Sequence, residues 1–96
     1  MELGGTIKLR TFRSHKTVEA AKITKIVFDS ELAKETGRET DGSAFLTLEE
    51  PVCVIRVSDE YVWKHKPKIG GYYVKYQDGY ESWSPSEAFE QGYTPL

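Results

Sequence analysis

The apolar positions at the start of the chain recur with a period of two. In TIKLRTF, residues 6–12, Ile7, Leu9 and Thr11 alternate with Lys8, Arg10 and Phe12, the spacing of a half-buried strand whose end Phe12 blurs. KTVEAAKITKIVFD, residues 16–29, is rich in β-branched Val18, Ile23, Ile26 and Val27, and its apolar positions change face near Ala20–Ala21 and again near Ile26–Val27. That pattern predicts a bulged or strongly twisted strand, with a helix as the runner-up. Large apolar residues then vanish from Asp29 to Ser43 except for Leu32, and Gly37 and Gly42 punctuate a run of charge. A mobile acidic loop over 29–43, allowing one helical turn after Ser30, is expected. AFLTLEE and VCVIRV read as two short strands joined by a turn at Glu50–Pro51.

The second half carries capping signals. Ser58 is a good N-cap, Asp59 and Glu60 put negative charge in the first turn, and Val57 with Val62 has the spacing of a hydrophobic staple. Lys64, His65 and Lys66 complement the far end, so a helix over 59–65 that stops before Pro67 is predicted, with His65 as a C-terminal dipole partner. Asp78-Gly79 predicts a type I′ turn closing YYVKYQ on YESWS. With Gln77 facing Tyr80, one face carries Tyr72, Val74, Tyr76, Glu81 and Trp83 as core; the other carries Tyr73, Lys75, Gln77, Tyr80 and Ser82. SPSE then reads as a capping box from Ser84 to Glu87. It opens a helix over 85–91 that presses Ala88 and Phe89 on the sheet and ends at a left-handed Gly92, with Tyr93 packing back.

Ninety-six residues at 39% hydrophobic and 29% charged fit one small α+β domain: a mostly antiparallel twisted sheet or partly closed barrel of about five or six strands with two short helices. The net charge of -2 hides an asymmetry, because residues 1–28 hold six Lys and Arg against Glu2 and Glu19 while 29–50 is acidic. Arg10 and Arg13 in the basic part could serve an anionic ligand, or simply solvate strand faces. Cys53, the only cysteine, excludes an intrachain disulfide; its apolar neighbours predict a buried, unreactive thiol and its lack of a partner suits a reducing cytoplasm. No signal peptide or membrane-spanning run is read, so no membrane partner is expected.

Chemistry-bearing motifs are missing: there is no Walker loop, G-x-G-x-x-G, C-x-x-C, H-E-x-x-H or G-x-S-x-G. An enzyme, a cofactor and a metal site are therefore not expected. The one candidate site is the polar hairpin face, where Tyr73, Lys75, Tyr80 and Ser82, with Arg10 and Arg13 nearby, would stack on a planar ligand and offer a cation to its phosphate. An ordinary solvated strand face is the competing reading.

DEYVWKHKP followed by GYYVKYQDGYESWSPSEAFEQGY resembles a group of small, uncharacterised proteins of tailed bacteriophages and prophages that end in G-Y-x-V-x-Y-x-D-G-Y-x-S-W/F-S-P-x-x-x-F-E-x-x-Y. RSHKTVEAAKI is similar to the group's N-terminal strand, while the acidic insert and AFLTLEEP have no counterpart. The resemblance implies a non-virion accessory protein made in the host bacterial cytoplasm, of the kind that counters host defence. Two functions then compete: sequestering a nucleotide-like immune signal, with a homo-oligomer through a sheet edge fitting that role, or occluding a host enzyme or defence protein. Direct nucleic-acid binding ranks third, because the basic residues do not gather on a predicted helix.

Overall fold

The long strand at the centre of the molecule is shared by three others. The computed structural model describes residues 8–96. Its elements are β1 (Arg10–Arg13), β2 (Thr17–Phe28), α1 (Asp29–Thr36), β3 (Ala44–Glu49), β4 (Cys53–Val57), α2 (Asp59–His65), β5 (Tyr72–Tyr76), β6 (Glu81–Ser84), α3 (Ser86–Gly92) and β7 (Thr94–Pro95). All pairings are antiparallel, in the order β4-β3-β2-β1-β7 with β6 and β5 joined to β2. The curled sheet with its helices is the expected α+β fold, with seven strands and a third helix where fewer were predicted. The first part of the strand predicted over 6–12 lies outside the described residues.

β1 pairs Thr17–Ala20, β3 pairs Lys22–Phe28, and β5 pairs Val18–Lys22 along the opposite edge of β2. The first half of β2 is also packed on both faces, which is why its sequence lacks clean alternation there. Val18 and Ala20 join Phe12, Val74 and Phe89 in one core, while Ala21 and Ile23 join Leu46, Leu48, Tyr61 and Tyr73 in another. The register shifts between Ile23 and Lys25, so Thr24 is the extra residue of a bulge. This insertion lets Ile26 and Phe28 continue the core face begun by Ala21 and Ile23. The bulge was expected on either side of this point; the residue between Ile23 and Lys25 carries it instead.

The segment 29–43 is not the mobile loop that its composition predicts. Asp29–Thr36 forms α1, closed by Gly37 at φ 74. Asp29 itself is buried and acts as a hub: it accepts from both terminal nitrogens of Arg38 at 3.1 and 2.6 Å, from Thr40 Oγ1 at 2.9 Å and from the Asp41 N–H at 3.0 Å. Asp41 in turn accepts from the Ser43 N–H and hydroxyl and from Arg56. Polar side chains replace an apolar core here, because Ala33 is the one buried apolar residue of the helix.

The hairpin register is one residue off the prediction. Gly79 at φ 93 donates to the Tyr76 carbonyl, and the Tyr76 N–H reaches Tyr80, a three-residue loop with a glycine bulge where a two-residue type I′ turn was expected. Tyr73 therefore faces Trp83 and Lys75 faces Glu81. The slip moves Trp83 and Glu81 of β6 from the face of Tyr72 and Val74 to that of Tyr73 and Lys75. Tyr72, Val74 and Tyr76 pack towards Phe89 as expected, while Tyr73 and Trp83 lie in the second core that Tyr61 covers, so β5 is packed on both faces.

α2 matches its predicted bounds, with the Ser58 hydroxyl accepting from the Tyr61 N–H at 3.1 Å. α3 differs: Ser84 still belongs to β6, so it cannot act as the cap, and its hydroxyl donates to the Pro85 carbonyl. Pro85 takes the extended cap position. Gly92 stays out of the left-handed region because Tyr93 must turn at once into extended backbone leading to β7. Phe89 is buried and Ala88 is exposed; Tyr93 does pack back, stacked on Phe89 at 4.6 Å.

Arg38 and the hydrogen bonds from Thr40 and Asp41 hold the Asp29 carboxyl well below the usual carboxylate range. Because the folded value is depressed, its stabilisation is present above the unfolded value near 3.9 and disappears as pH falls through the folded value. Asp29→Asn should lower the urea midpoint at neutral pH and expose 37–42 to proteases, with the gap to wild type closing below about pH 4. A gap independent of pH would show that the carboxylate charge does not organise the loop.

Candidate functional site

The six residues of the predicted ligand platform do not converge. Tyr73 is only 4% exposed: its ring lies 6.1 Å from that of Tyr61, and its hydroxyl donates to Glu81. Lys75 is exposed, with Glu19 and Glu81 as its cross-strand neighbours, and Glu81 accepts from Tyr73. Ser82 is half-buried opposite Val74, and its carbonyl accepts from Tyr61. Arg10 is ion-paired with Glu50 at 2.9 Å, and Arg13 stands exposed between Thr17 and Thr94. The stacking face fails because its geometry depended on a register the hairpin does not adopt.

Tyr80 is the one aromatic residue of that platform left at the surface. It is 43% exposed, with Lys64 Nζ 5.2 Å from its ring centroid and its hydroxyl 3.3 Å from His65 Nε2. Burial, then the charge of Lys64, pushes the His65 imidazole below its ordinary value. His65 stands in the last turn of α2, as expected, with its ring 4.9 Å from that of Tyr61. Cys53 is buried and its thiol is pushed up by desolvation, as its neighbours predict.

A cleft of about 370 Å³ opens where the start of β1 meets the end of β3. Its cations are matched, Arg10 with Glu50, and Lys22 with Glu90 at 3.5 Å, while Glu49 on its wall forms no ion pair among the described residues. Tyr72 donates to Glu90 at 2.8 Å and is pushed up to about 12 by burial and that carboxylate. Both cations of the cleft are thus paired, and it offers no free cation for a phosphate.

Exposed apolar side chains include Trp63, Ile69 and Leu96 singly, and one group that shares a sheet face. On the outer face of β2, β3 and β4, Val27, Phe45 and Arg56 form one cross-strand row and Lys25, Thr47 and Val54 the next. Val54 is 57% exposed, Phe45 38%, and Val52 at the turn 81%. Solvent-facing positions of an antiparallel sheet are ordinarily polar. The signal was present in the sequence: VCVIRV is apolar at consecutive positions, as a strand covered on both faces would be.

No protein-family model matches the chain, and no curated protein sequence does. A solved structure is similar to it: the monomeric form of the phage L decoration protein, determined by NMR in solution, with a TM-score of 0.63 and 25% identity. The match covers 97% of this chain and 63% of that one, so the chain spans less than two thirds of its neighbour's length. Similarity to a phage protein agrees with the resemblance drawn from the C-terminal residues. A decoration protein is a structural part of a virion, however, and this conflicts with the expected non-virion, counter-defence protein that sequesters an immune signal.

Tyr73→Ala should cost about 3–5 kcal/mol in a denaturation experiment, as for an aromatic residue removed from a core. Tyr80→Ala should cost less than about 1 kcal/mol. Equal costs would put Tyr73 at the surface. In an NMR titration, the His65 imidazole should have its midpoint below 6.5.

Proposed function

We propose that the chain is a structural, virion-associated protein of a phage, a decoration-type domain that binds the outside of an assembled shell. The observation carrying this reading is the backbone likeness to the phage L decoration protein over 97% of the chain. The C-terminal motif supports a tailed-phage or prophage source independently of the fold. Synthesis in the infected bacterium's cytoplasm, followed by attachment to the particle there, is consistent with this role.

Mass spectrometry of density-purified particles from the encoding phage or induced prophage tests it. The chain should co-purify with DNA-filled heads in many copies. Abundant chain in the lysate and none on purified particles would refute the proposal.

A further inference from the structure

α3 covers only half of one sheet face. Val18 and Ala20 in the first half of β2 lie beneath Phe89, and Lys22, next on that face, pairs with Glu90. Beyond the bulge at Thr24, the same face continues as Lys25 and Val27, then Thr47 and Phe45 of β3, then Val54 and Arg56 of β4. α2 packs against the opposite face, where Tyr61 joins Leu46 and Leu48. Among the described residues no element covers the outer face of β3 and β4.

Resting on the decoration reading above, we infer that this bare half-face seats on the shell and that its occupant is an apolar protein patch presenting a carboxylate to Lys25. Val52, Val54 and Phe45 supply an exposed apolar centre of the kind that marks a protein contact. The charges select the partner. Arg56 is held by Asp41 at 3.2 Å, and Glu49 stands only at the border of the face, beside a Lys22 that is paired with Glu90. Lys25 lies beside Thr47 and Val54 and forms no ion pair among the described residues. Closing any surface over it buries a cation, which is costly unless a carboxylate meets it. With Arg56 already paired and Glu49 only at the border, Lys25 is the charge at the centre of the face, and a different protein that places a carboxylate there is the match.

Co-sedimentation with shells of the encoding phage assembled without the chain provides the test, using wild type, Val54→Asp, Val54→Ser, Lys25→Glu and the control Trp63→Ser. Trp63 is exposed on α2, away from this face. Thermal melts check that each variant folds, and the two Val54 replacements separate added charge from lost apolar contact. Val54→Asp should weaken binding about tenfold or more, Val54→Ser and Lys25→Glu less, and Trp63→Ser not at all. Wild type that fails to bind overturns the decoration reading and this inference with it. Wild type that binds while folded Val54→Asp binds equally well overturns only the choice of face, as does loss of binding in Trp63→Ser alone. A concentration-dependent dimer in sedimentation velocity that Val54→Asp abolishes would identify a second copy as the occupant and overturn the stated partner.

Discussion

The extra residue at Thr24 allows one twelve-residue strand to serve two cores. Side chains on a strand alternate faces, so an uninterrupted β2 would place Ile26 and Phe28 opposite Ile23. With the bulge they share its face, and Leu46 and Leu48 of β3 pack against a continuous apolar surface. β1 and β3 can then occupy successive lengths of the same edge while β5 takes the other. Arg10 and Glu50 close the seam between those two strands. The small residues Ala20 and Ala21 fit this crowded point, where the strand is packed on both faces.

Elements governed by local chemistry were legible in the sequence. Ser58, the acidic first turn and the lysines after it define α2 within residues 59–65, and the structure uses the Ser58 cap as expected. α1 was obscured because its stability comes from polar contacts that converge over distance in the chain. Periodicity detects buried apolar faces, and this helix offers Ala33 with a half-buried Leu32. What orders the segment is Asp29 gathering donors from Arg38, Thr40 and Asp41. A buried carboxylate with several charge-assisted bonds is strong, but its partners cannot be read from spacing alone.

The candidate site failed through a smaller error with a larger consequence. Asp-Gly is compatible with both two- and three-residue hairpin loops, and the choice between them shifts the strands by one position. That shift placed Lys75 opposite Glu81 and Trp83 beside Tyr73, and the face that was expected to be open is covered by Tyr61, which buries Tyr73. Strand and helix patterning did place Tyr72, Phe89 and Tyr93 in the core, where they stack in sequence, but it missed Tyr73. It could not say which tyrosines remain available to a ligand.

A curled sheet with both ends to cover needs more apolar cap than three short helices provide. α3 and α2 together bury the region around β2 and β5, and α1 adds little beyond Ala33. Increased twist at a bulge turns the distal part of a sheet away from what packs on the proximal part. In this chain the distal part is β3 and β4, and the residues turned away include Phe45 and Val54. Exposing them gives the folded monomer no benefit and invites association. Retaining apolar side chains at these positions, while Lys25 and Arg56 occupy the same rows, is therefore best understood as the requirement of a contact made after folding.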